Sequence, residues 1–182
     1  LVAVLCVAFL MVTLNIDFFK GFIRNEAYYV GLDVVPILLL ANIFLGIYIN
    51  QSIWYKLSGQ TKFGAYIAIG GAILTIGLNL IFIPILGYVA SAWTTFLVYG
   101  GMMVTSYLLG QKHYPIPYNL KKVFFFLIFA VGLYGLSLGF KYFFQDSVIL
   151  CLGFNTLIFG FYIWFIIKLE GIDVRSMLKK PE

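Results

Sequence analysis

The chain has 182 residues, of which 63% are hydrophobic and 10% charged, with a mean hydropathy of +1.01 and a net charge of +5. Soluble domains carry about 25% charged residues and need a polar surface, so this composition excludes a water-soluble fold and makes lipid the main solvent. Continuous apolar runs of about 20 residues match helices crossing a hydrocarbon core and exclude a β-barrel, whose strands alternate apolar and polar.

Six apolar segments are expected to form membrane helices, near residues 1–16, 34–55, 63–83, 88–109, 123–140 and 147–167. The fold class is therefore an all-α, polytopic membrane helix bundle of about six spans. The first segment starts at Leu1 without a leading charge and reads as the continuation of a longer protein. It ends at Asp17. The second opens on Asp33, placed to cap it by accepting backbone N–H bonds of its first turn. Both carboxylates are also candidates for coupling transport to H+ or Na+.

Segments three and four form a hairpin, because one unbroken helix from 63 to 109 would be about 70 Å long. Pro84 is expected to stop the first arm, and Gly87 to supply the left-handed turn. The linker "QKHYPIPYNLKK", with Pro115 and Pro117, is expected to be extended, and His113, the chain's single histidine, solvated. In segment five, Gly135 and Gly139 match GxxxG and read as helix packing.

If the loops alternate between faces, nine basic residues fall on one side (Lys56, Lys62, Lys112, Lys121, Lys122, Lys168, Arg175, Lys179, Lys180) and three on the other (Lys20, Arg24, Lys141). The positive-inside rule then puts the C-terminus in the cytoplasm. The basic charge reads as topology, and no nucleic-acid partner is expected. Cys6 and Cys151 lie inside apolar runs and read as small hydrophobes.

No Asp, Glu, Lys or Arg sits in mid-span; amides and hydroxyls do. Asn42, Gly46 and Asn50 recur every four residues on one face of segment two. Thr75 and Asn79 continue a small-residue stripe in segment three, and Ser91 and Thr95 pair in segment four. These six polar residues are candidates for lining a hydrated cavity, against the alternative that they bond helices together. Lys56 and Lys62 are candidate inner-mouth cations. GxSxG, HExxH and P-loop motifs are absent. No enzyme and no cofactor are expected.

From Pro36 to Tyr118 the chain resembles the C-terminal half of polysaccharide-unit flippases, members of the MATE-like multidrug/oligosaccharidyl-lipid/polysaccharide exporter superfamily. The residues that carry this are the Lys-Leu-Ser-Gly-Gln-Thr-Lys loop (56–62), the Leu-Asn-Leu to Pro-x-x-Gly hairpin (78–87), Ala-Ser-Ala-Trp-Thr-Thr (90–95) and "YPIPYN". Relatives often have Gly-Ala-Ala where this chain has Ala90-Ser91-Ala92. The resemblance implies a 12–14-helix carrier in the cytoplasmic membrane of a bacterium. In it, 1–110 would be part of the C-terminal transport bundle, 111–122 a cytoplasmic linker, 123–168 two additional helices and 169–182 a cytoplasmic tail. It also implies a lipid-linked sugar substrate and a missing N-terminal bundle as partners. A drug or cation antiporter of the same superfamily, a membrane-bound envelope-assembly enzyme and a scaffold are the alternatives.

Overall fold

A computed structural model describes residues 1–21, 26–144 and 148–170. Every regular element among them is helical. The order is α1 (Val2–Leu14), α2 (Ile16–Lys20), a 3₁₀ segment (Glu26–Val34), α3 (Val35–Gln51), α4 (Ile53–Leu57), α5 (Lys62–Leu86), α6 (Tyr88–His113), α7 (Leu120–Phe143) and α8 (Val148–Glu170). Arg24, Arg175, Lys179 and Lys180, used in the charge count, lie outside the described residues, as does most of the 169–182 tail.

Among the described residues four helices are long and apolar enough to cross a membrane: Tyr29–Leu57, Lys62–Leu86, Leu120–Phe143 and Ile149–Leu169. The other two expected segments form shorter or more polar helices. α1 has 13 residues, and α6 has 26 but carries hydroxyls, glycines and a polar last turn. In lipid each backbone N–H and C=O needs an internal partner, which is why these runs become helices whatever their local propensity.

The apolar core lies around α1, where Cys6, Phe9, Leu10 and Leu14 meet Ile43 and Ile47 of α3, Phe126 and Ala130 of α7, and Ile158 and Tyr162 of α8. Aromatic rings fill the seam between α7 and α8. Phe140 stacks on Phe154 with centroids 4.0 Å apart, and Phe129 lies 4.8 Å from Phe165. α6 packs along both α3 and α5, so the bundle extends sideways from the core through α3 and α6 to α5 at its edge.

The hairpin turn differs from expectation in its cause. α5 runs through Pro84 to Leu86 and ends at Gly87, whose φ of 64° and ψ of −150° belong to a region essentially restricted to glycine. The Gly87 N–H still reaches back to the Ile83 carbonyl at 2.9 Å. Proline removes one ladder bond, to the Leu80 carbonyl, and that loss alone does not end the helix.

Two further expectations are corrected. Asp33 does not cap α3: it is exposed within the 3₁₀ segment, which feeds directly into α3, and the capping position belongs to Val34 with no side-chain bond. Among the described residues Gly135 and Gly139 do not form a packing surface either. A methyl group added at either one would meet nothing within 4 Å, because α7 turns Phe126, Ala130, Leu133 and Ser137 inward instead. Close approaches through glycine occur elsewhere. A Cβ at Gly71 would lie 2.6 Å from the Met102 sulfur, and one at Gly46 would lie 2.6 Å from Leu5.

Cross-contacts fix which connections share an end. Tyr88, beside the hairpin turn, donates its hydroxyl to the Val30 carbonyl at 3.1 Å. At the opposite end the His113 ring lies 6.0 Å from Trp54 and 4.8 Å from Phe63. The 56–62 connection and the start of the 111–122 linker are thus neighbours. His113 is exposed as a residue, yet its ring is stacked rather than freely solvated, and Nδ1 is 3.0 Å from the Leu109 carbonyl.

Candidate functional site

The α3 stripe is divided by its own packing. Gly46, at its centre, presses against Leu5 of α1, whereas Asn42 and Asn50, one turn to either side, are exposed. Asn42 donates Nδ2 to the Leu38 carbonyl at 2.8 Å. Two primary amides therefore stand on the surface of a helix otherwise suited to hydrocarbon.

On α5 and α6 the hydroxyls turn back on their own helices. Thr75 donates to the Gly71 carbonyl at 2.9 Å and Thr95 to that of Ser91 at 2.8 Å, a common way of satisfying a hydroxyl within a span. Asn79 differs. Its Oδ1 is buried without a hydrogen-bond partner, and the residue lines a hollow of about 380 Å³ with Thr75, Leu80 and Pro84. A larger cavity of about 600 Å³ lies between α5 and α6. Neither hollow is lined by Asn42, Asn50, Ser91 or Thr95. The structure thus brings Thr75 and Asn79 together, and places the α3 amides apart from them, with α6 packed against both helices.

The charged candidates occupy the two ends. Lys56 and Lys62 are exposed beside the Trp54, Phe63 and His113 rings. Asp17 bonds Lys141 of α7 at 2.5 Å and Lys20 of its own short helix at 3.1 Å. Partial burial works to raise the Asp17 carboxyl pKa, but hydrogen bonds from the two ammonium groups, and their charge, outweigh it and hold the carboxyl below its ordinary value. Its folded pKa being depressed, the pairing stabilises the fold above the unfolded carboxyl pKa and is lost as pH falls through the folded one. Asp17 and Lys141 are 38% and 46% exposed, so the effect is small. Asp17→Asn is expected to cost less than about 1 kcal/mol at pH 7, and the difference in melting temperature from the wild-type chain should vanish in acid. A difference that persists below pH 3 would mean that Asp17 acts through something other than its charge.

Sequence reasoning missed the best-connected polar group. Asn155 of α8 is buried; it donates Nδ2 to the Leu14 carbonyl at 2.6 Å and accepts from the Ser137 hydroxyl at 2.6 Å. One amide thus ties α8 to the last turn of α1 and to α7. A lone asparagine in the middle of segment six was the available signal. Gln51 was missed too: it is 5% exposed, with Oε1 buried and unpartnered at the end of α3. Among the described residues no cluster of His, Cys, Asp or Glu has the makings of a metal site.

Comparison with known proteins found no matching family model, curated relative or solved structure.

Proposed function

We propose that this chain is part of a membrane carrier that passes a lipid-linked oligosaccharide or polysaccharide repeat unit across the cytoplasmic membrane of a bacterium, breaking no covalent bond. The observation that carries this reading is the exposure of Asn42 and Asn50 on an apolar spanning helix. An amide facing hydrocarbon is costly. This face therefore fronts either a hydrated passage or a polar partner helix, and two amides a full two turns apart suit the former. Neutral amides and hydroxyls, rather than ionisable groups, favour a hydroxyl-rich cargo over an organic cation.

On this reading a second bundle of the same protein completes the passage, and access alternates by rocking of the two bundles. The end bearing Lys56 and Lys62 faces the cytoplasm together with the C-terminus, and these lysines attract the pyrophosphate of the cargo. With Asp17 held by Lys141, the exposed Asp33 is the better coupling carboxylate for H+ or Na+.

The test is Asn42→Leu with Asn50→Leu in the full-length protein. Export of the sugar unit should fall at least tenfold while membrane insertion and abundance stay normal. Wild-type export by a normally inserted double variant would remove the passage from this face of α3.

A further inference from the structure

We propose that the groove between α5 and α6 is a binding site for an anionic phospholipid, one acyl chain lying in the groove and the phosphate held by Lys62 and Lys112. The proposal does not depend on the carrier reading.

The groove is apolar and about 600 Å³ in volume. It is bounded on α5 by Tyr66, Gly70, Leu74 and Leu78, which recur every four residues, and on α6 by Gly101, Thr105 and Leu109, spaced likewise. Both rows run on to a lysine at the same end of the bundle. Lys62 lies four residues before Tyr66, and Lys112 three residues after Leu109, so each shares the face of its row. Both lysines are exposed, on long stems that reach a headgroup plane.

The two connections that meet at this mouth carry charge of one sign. From Val34 to Gln145 the sequence contains no acidic residue, while Lys56, Lys62 and Lys112 lie in or beside the 56–62 connection and the start of the 111–122 linker, which meet there. An apolar slot within a span, opening on lysines with no acidic residue in these connections, is complementary to a lipid with a negative head and not to a zwitterionic one.

The glycines make the slot. A Cβ at Gly70 or Gly101 would meet nothing within 4 Å, so a larger side chain at either position fills the groove without a clash at its first atom. This provides a second handle, separate from charge.

The purified full chain is placed in nanodiscs of phosphatidylcholine, with or without dioleoylphosphatidylglycerol, and lipid retention is read by native mass spectrometry beside the melting temperature. The wild-type chain should retain phosphatidylglycerol over phosphatidylcholine by roughly thirtyfold, the attraction expected of two lysines at a headgroup plane. Lys62→Gln with Lys112→Gln should abolish the preference. Gly70→Leu with Gly101→Leu should abolish retention of either lipid, with the melting temperature in pure phosphatidylcholine unchanged. Equal retention of the two lipids by the wild-type chain, or an undiminished preference in either double variant, would overturn the proposal. So would a polyprenyl phosphate that displaces phosphatidylglycerol at equal concentration, an equal melting shift from inorganic phosphate, or a second copy of the chain occupying the groove.

Discussion

Asn155→Leu is expected to destabilise the bundle by about 2 kcal/mol, read as reversible unfolding in mixed micelles. Leucine keeps the branching and heavy-atom count of asparagine but offers no donor or acceptor. It strands the Leu14 carbonyl and the Ser137 hydroxyl, both of which rely on this amide at 2.6 Å. A buried group left unsatisfied costs about 1–3 kcal/mol. Interhelical bonds in membranes average nearer 0.6 kcal/mol, because the unfolded helices find other partners. Two bonds lost together from a buried site, with Leu14 ending α1, place the sum near the middle of the first range. Ser137→Ala removes one of the two bonds and should cost about half as much. Equal stability of Asn155→Leu and wild type would mean that α1, α7 and α8 are held by apolar packing alone.

Trp54→Ala is expected to cost about 3–5 kcal/mol, the range for emptying a large aromatic site. Trp54 is 1% exposed and donates Nε1 to the fully buried Ser106 at 3.3 Å. Its indole also fills the space left by Gly110, where a Cβ would come within 3.0 Å of it, and it stacks with His113. One side chain thus joins α4 to α6 and, through Phe63, to the start of α5. Trp54→Phe keeps most of the volume and loses the donor, so it should cost about 1–2 kcal/mol. If the two variants were equally damaging, the indole N–H would outweigh the packing, contrary to this account.

The helices were legible in the sequence because lipid leaves the backbone little choice. Runs placed near 63–83 and 123–140 became Lys62–Leu86 and Leu120–Phe143. The errors fall where a local signal met a stronger neighbour. Pro84 reads as a stop in water, but within a span the remaining ladder bonds have no solvent to turn to, so the helix continues to the first glycine able to reverse it. Asp33 looks like a cap only if α3 begins there, and the preceding 3₁₀ turns remove that beginning. The polar candidates were legible as residue types. Their grouping was not, because it depends on which faces meet: Asn155 finds its acceptor 141 residues away in sequence, and no periodicity within one helix reports such a pairing. The same holds for Gly46, which shares the Asn42 face by spacing but is claimed by Leu5 from another helix.

Gly59 and Gly87 are the positive-φ positions of the described backbone, at 69° and 64°, and they stand just outside the two ends of α5. Between them α5 leans mainly on α6, and among the described residues none of α5 belongs to the apolar core around α1. A displacement of α5 would therefore be resisted chiefly by its seam with α6 and would leave the packing of α1, α7 and α8 unchanged.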